Sequence, residues 1–242
     1  MPIRPVIVQR FLRRQPALWL WLGLVTAAPL ALAQTVPPDS MAARVAPCVA
    51  CHGKDGIGAE FNPRIAGKPA GYLYNQLRNF RDGRRRYPQM IYMVDHLSDA
   101  YLLQMATYFS ALHPPYPAPL ASGSSDAMTE RGRTLAQSGD ATREVPACTA
   151  CHGAALTGVL PATPGLLGLP RDYLSAQFGA WKDGARKAAA PDCMATIASR
   201  LSTSDISAVT GWLAAQPLPE PNTAVPPGPT TPPMTCGTVP KP

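Results

Sequence analysis

Cys48-Val49-Ala50-Cys51-His52-Gly53 and Cys148-Thr149-Ala150-Cys151-His152-Gly153 are nearly the same hexapeptide, met twice, 100 residues apart in a chain of 242. Two thiols three positions apart, followed at once by an imidazole, form a chemically specific set. Such thiols can add to the two vinyl groups of one porphyrin, and the next side chain then offers a ring nitrogen to the iron. This is the c-type haem attachment pattern. Cys48, Cys51, Cys148 and Cys151 are the candidates for covalent attachment of two haem c groups, with His52 and His152 as iron ligands. Two other chemistries use paired cysteines. A zinc site would draw both halves into one tetrahedral centre, whereas each motif here sits among its own fold signals. A dithiol redox pair would lie in a βαβ pattern, and neither half shows strand alternation.

A sixth ligand must come from elsewhere in each half. Aligned on Leu97-Ser98 and Leu201-Ser202, Met90 coincides with Met194, each seven residues before the Leu-Ser pair. Methionine sulfur is the soft axial ligand of cytochromes c, although most methionines simply fill core gaps. Met93 aligns with Ile197 and His96 with Arg200, so either would break the symmetry; Cys193, beside Met194, could supply a thiolate. Pro63 and Pro164 follow the two histidines by 11 and 12 residues. Their carbonyls are candidate acceptors for the second ring N–H of a metal-bound histidine; a plain turn proline is the alternative.

The elements that must position these groups are helices. Leu73, Leu77 and Phe80 fall at i, i+4 and i+7, as do Leu174, Phe178 and Trp181, which is one apolar face of a helix. Pro69 suits a first turn, and Gly83 and Gly184 suit the position just past a helix end. Ser98 and Ser202 start further helices through Leu102, Ala106 and Phe109, and through Ile206, Val209 and Leu213; Ser202 and Asp205 have capping-box spacing. A loop carrying the methionine is expected between the two helices of each half. The repeat continues through Pro63/Pro164, Gly67/Gly168, Tyr72-Leu73/Tyr173-Leu174 and Asp82-Gly83/Asp183-Gly184. Repetition along a whole half means two copies of one domain. The expected fold is all-α, two tandem domains of a few helices, each wrapped around one covalent haem that stands in for much of the core.

Residues 1–33 read as a secretory signal: Arg4, Arg10, Arg13 and Arg14 precede an apolar run, and Ala31-Leu32-Ala33 gives a cleavage pattern before Gln34. An uncleaved anchor is the rival. The segment holds four of the 22 basic residues and no acid, so 18 bases face 15 acids in the remainder, +3 rather than +7. That balance does not suggest a nucleic-acid partner. The expected organisation is signal 1–33, first domain 34–113, Pro/Ser-rich linker 114–123, second domain 124–216 and Pro-rich tail 217–242. Cys193 and Cys236 are left without a haem, and in an exported protein a disulfide between them is the simplest expectation, against two free thiols. Arg78, Arg81, Arg84, Arg85 and Arg86 read equally as a solvated helix end or as a docking patch for an acidic partner.

The two motifs, Pro63-Arg64-Ile65-Ala66-Gly67, Tyr72-Leu73 through Arg81-Asp82-Gly83, and the Met90 and Met194 segments together resemble class I cytochrome c domains in tandem, as in the diheme cytochrome c4 family, over residues 40–216. The resemblance implies single-electron transfer in the periplasm through two His/Met-ligated haems, with redox proteins as partners. Donors of the kind implied are a quinol-oxidising complex or a dehydrogenase, and acceptors include a terminal oxidase. The protein would be soluble or loosely held at the membrane surface. Two rivals stand beside this: a diheme redox enzyme similar to a thiosulfate dehydrogenase or peroxidase, and a cytochrome subunit of a dehydrogenase or oxidase complex. The first half departs from the pattern in leaving little room for a helix between Gln34 and Cys48, and the tail is extra.

Overall fold

Small polar side chains set several of the helix starts. Ser98 accepts a hydrogen bond from the Tyr101 N–H, Ser125 from Met128, Asp192 from Ala195 and Ser202 from Asp205. At Ser202 the bond is reciprocal, since the Asp205 carboxylate takes the Ser202 N–H; such caps contribute about 1 kcal/mol each. The computed structural model describes residues 39–59, 62–119 and 123–239. The signal segment expected at residues 1–33 lies outside them.

The first half runs α1 (Met41–Arg44), α2 (Ala46–His52), α3 (Ala70–Arg81), α4 (Pro88–Val94) and α5 (Asp99–Ser110). The second runs α6 (Asp126–Gln137), α7 (Thr149–His152), α8 (Arg171–Lys182), α9 (Cys193–Arg200) and α10 (Thr203–Ala215). The little room before Cys48 produces only the single turn of α1, where the second half has the full α6. Pro69 is the residue before α3 rather than inside its first turn. The methionine segments are short helices, not loops. Pro88 starts α4 and the Asp192 cap starts α9, two signals that a loop reading passes over. Between α7 and α8 the second half also carries a minimal antiparallel hairpin, β1 (Gly158–Val159) with β2 (Thr163–Pro164).

Each half has its own apolar core. Leu73, Phe80, Val94, Leu102, Ala106 and Phe109 pack between α3, α4 and α5. Leu135, Leu174, Phe178, Ile206, Val209 and Leu213 pack between α6, α8 and α10. The apolar faces read from the sequence are these. Helices α6 and α10 touch closely at Gly132, where a Cβ would lie 2.7 Å from Trp212 Cβ and nearer still to the Ala208 carbonyl.

The halves meet in an approximately two-fold arrangement. Gly83 and Gly184, both at φ 74°, turn the chain after α3 and α8. The residues that follow run antiparallel, Arg85 opposite Arg186, with Arg86 N–H to Ala185 O and Lys187 N–H to Arg84 O at 2.7 Å each. Further bonds cross the boundary from Gly71 N–H to Pro161 O and from Lys68 Nζ to Gly165 O. The linker is pinned by Arg64, which donates to the Pro114 and Pro115 carbonyls and stacks 3.6 Å over Tyr116. The tail returns to the second half, where Val225 bonds Gly158 and Leu160, and a disulfide joins Cys236 to Cys193. It also reaches the first half, at Thr238 O, which accepts from Asn75.

Candidate functional site

Helix geometry explains the Cys-x-x-Cys-His spacing. Residues three apart lie on one face of a helix, so Cys48 and Cys51 on α2 share a face, and Cys148 and Cys151 do the same at α7, with the histidine closing each helix. Both histidines are buried, at 8% exposure. His52 Nδ1 sits 2.8 Å from the Pro63 carbonyl and His152 Nδ1 2.7 Å from the Pro164 carbonyl. A carbonyl can only accept, so Nδ1 carries the proton in each ring and Nε2 keeps its lone pair. Burial lowers the proton affinity of both imidazoles, against the opposing pull of those carbonyls. Neutral imidazole with a free Nε2 is the form that binds a metal.

In the second half these groups wall one apolar cavity. Cys148, Cys151, His152, Met194, Phe178 and Trp181 all line it. Met194 reaches it from the first turn of α9, and Met90 packs partly buried against the first core from α4. Met93 is more exposed than Met90, at 37%. His96 points to solvent beside Asp95, and its side chain is 92% exposed. Cys193 has its sulfur in the disulfide and is not free to act as a thiolate ligand.

The residues fit haem c. The cavity is lined by apolar side chains and by two thiols on one helical face, and a histidine held by its Nδ1 offers Nε2. On the same wall the Trp181 indole N–H is buried without an acceptor among the described residues, a costly state that a carboxylate of the bound group would relieve. The thiols are poor candidates for the other two chemistries. Burial pushes Cys148 up to about 12 and also raises Cys48 and Cys151, away from the thiolate that disulfide exchange calls for, and among the described residues no three His, Cys, Asp or Glu side chains group to hold a metal ion.

The arginines after α3 are not an open patch. Arg81 is paired with Asp99 at 2.7 Å, and Arg84 with Asp82 at 2.7 Å. Arg86 donates to Gly184 O, and Arg85 lies at the boundary between the halves. The docking reading therefore loses the charges of Arg81 and Arg84 to Asp99 and Asp82. Sequence reasoning also passed over Lys68, buried to 4% exposure beside the Pro164 segment. Its repeat partner is Leu169, and that mismatch was a signal.

Fold and site together define a c-type cytochrome with two tandem cytochrome c domains. The "Cytochrome c" family model matches residues 42–111. A "Thiosulfate dehydrogenase electron acceptor" of Thiomonas intermedia is 43% identical over 199 residues, 81% of this chain and 88% of that protein. Cytochrome c4 of Azotobacter vinelandii is 33% identical, over 70% of this chain and 84% of its own. The crystal structure of reduced cytochrome c4 from Pseudomonas stutzeri superposes with a TM-score of 0.63 at 30% identity, covering 72% of this chain and 96% of that one. The thiosulfate dehydrogenase TsdBA of Marichromatium purpuratum gives 0.64 at 34% identity over 71% of this chain, which spans only 36% of that longer protein. The chain belongs to the cytochrome c4 family of diheme class I cytochromes c, a family of electron-transfer proteins. Among the described residues no helix is long and apolar enough to cross a membrane.

Proposed function

We propose that the chain is a periplasmic diheme electron carrier that accepts single electrons from a thiosulfate-oxidising dehydrogenase and passes them to a further redox protein. Cys48 and Cys51 would hold one haem c, with His52 and Met90 on its iron. Cys148 and Cys151 would hold the other, with His152 and Met194. The observation that carries this reading is the matched pair of histidine bonds to Pro63 O and Pro164 O, which leaves Nε2 ready in both halves. When bound, haem c supplies a one-electron couple whose potential the axial ligand, hydrogen bonding and burial adjust.

The protein's own work is positioning. Pro63 and Pro164 orient the imidazoles, α4 and α9 present the methionines, and the apolar walls keep water away. Enzymatic haems need an open or exchangeable sixth position. A methionine in each half and a disulfide-bound Cys193 favour the carrier over the enzyme. The donor assignment rests on two relatives, 43% and 40% identical, that bear the name thiosulfate dehydrogenase electron acceptor.

The test is spectroscopic, then kinetic. Mass and haem content of the exported protein should give two haems per chain and an N-terminus at Gln34. Far-red absorption of the oxidised form should correspond to two sulfur–iron bonds per chain, and to one in Met90→Ala or Met194→Ala. The haem α-band should then grow rapidly with thiosulfate plus a thiosulfate dehydrogenase, and not with thiosulfate alone. Reduction by thiosulfate alone would establish an enzyme. Reduction no faster with the dehydrogenase than without it would remove the proposed donor.

A further inference from the structure

The tail after α10 touches the second half at the two places that hold its candidate iron ligands. On the histidine side, β1 pairs with β2, and Gly158 stands opposite Pro164, whose carbonyl holds His152 Nδ1 at 2.7 Å. Val225 of the tail pairs with Val159 in that same hairpin. Its N–H donates to Gly158 O at 3.0 Å, and its carbonyl accepts from the Leu160 N–H at 2.8 Å. The Val225 side chain also reaches the residue after His152, with Cγ2 3.6 Å from where a Cβ on Gly153 would stand. On the methionine side, Cys236 is bonded to Cys193, the first residue of α9 and the one before Met194. The next tail residue holds the approach to α9, since Gly237 N–H donates to Pro191 O at 3.0 Å. The fit there is close enough that a Cβ on Gly237 would collide with the Ala189 and Ala190 carbonyls.

The first half has no such arrangement. Its cysteines are Cys48 and Cys51 alone, so no disulfide ties α4, and the tail meets that half through Thr238 O and Asn75. Around Met90, Tyr87 is 49% exposed and Tyr92 80% exposed. A methionine sulfur can be replaced on an iron only when the segment that carries it swings away. Short helices with few buried contacts open at low free energy, and a cross-link at the first residue removes open conformations from that ensemble. Helix α9 has the cross-link and α4 does not.

From these contacts we infer that the tail is a strap that grips the second site from both its histidine and its methionine side, with Cys193, Cys236 and Val225 as positioning residues. Met194 is then the slower of the two methionines to yield to an outside ligand. The second site stays closed while the first can open. This rests on the diheme His/Met reading above.

The test is ligand exchange on the oxidised, haem-loaded protein at neutral pH. Excess imidazole is mixed in, and loss of the far-red sulfur–iron absorption is followed in time. Met194→Ala reports Met90 alone and Met90→Ala reports Met194 alone, so the two phases of the wild type are assigned. Met194 should exchange more slowly than Met90. Cys193→Ala with Cys236→Ala should speed the Met194 phase about tenfold, the factor given by a loss of about 1.4 kcal/mol in local opening free energy. The Met90 phase should keep its rate. Val225→Pro removes the N–H given to Gly158 and should speed the Met194 phase as well. Where a strap variant fails to fold, the wild-type comparison decides by itself. Equal rates for the two methionines in the wild type, an unchanged Met194 phase in the double variant, or an equal rise in both phases would overturn the strap. Haem content and far-red intensity are measured first. Fewer than two haems or two sulfur–iron bonds per wild-type chain defeats the reading beneath the strap, and the strap with it, whereas two bonds that exchange at one rate defeat the strap alone.

Discussion

Lys68 offers a prediction whose sign can be worked out. Its side chain is 4% exposed, and its Nζ donates to the Gly165 carbonyl at 3.3 Å. Burial, and then Arg64, push its pKa down to about 8, against about 10.4 in an unfolded chain. Below pH 8 both states carry the proton, and folding bears the full cost of burying the ammonium, on the order of 3 kcal/mol. Between pH 8 and 10.4 the unfolded state binds more protons than the folded one, so stability rises with pH. Lys68→Met removes this dependence and leaves Gly165 O without its donor, a loss of about 1–3 kcal/mol. Wild type should therefore gain about 2 kcal/mol relative to the variant between pH 7 and 9.5. Denaturant unfolding of the two haem-loaded proteins, followed by circular dichroism at several pH values, measures that difference. A difference that stays flat over this range would refute the reasoning and mean that Lys68 reaches solvent in the folded protein.

Two further changes test the packing. Gly132→Ala puts a methyl into the α6–α10 contact against Trp212 and the Ala208 carbonyl, and should cost about 1–3 kcal/mol; a variant that melts with wild type would show that the helices can part there. Cys236→Ser opens a disulfide that closes 43 positions, with an expected loss of about 2–4 kcal/mol. An unchanged unfolding midpoint in that variant would mean that the tail is held without the covalent link.

Much of the candidate site's geometry was legible because its constraints are local. Cys-x-x-Cys-His is one turn of helix, and the histidine's acceptor lies at nearly the same short separation in both halves. The long helices were legible for the same reason, through the 3.6-residue periodicity of Leu73, Leu77 and Phe80 and the serine caps. The short helices α4 and α9 were not, since seven or eight residues carry too little periodicity and only Pro88 and Asp192 mark their starts. The tail contacts depend on Val225 meeting Gly158 and Leu160 across more than sixty positions, which no local pattern announces.

The boundary between the halves is a different case. Residues on a two-fold axis meet their own repeat partners, so an interface built there must repeat in the sequence like the core itself. Tyr72/Tyr173, Gln76/Gln177, Phe80/Trp181 and Arg85/Arg186 all stand in one register. Repetition therefore has two physical sources in a tandem protein: what each domain needs to fold, and what the two domains need to meet. Burial separates the first from the second only when the structure is in hand. An arginine that recurs in register just after a helix, with a glutamine recurring on that helix, can bond the glutamine of its own domain. It also gives a pair of domains a charged contact at their axis, and that is where Arg85 and Arg186 lie.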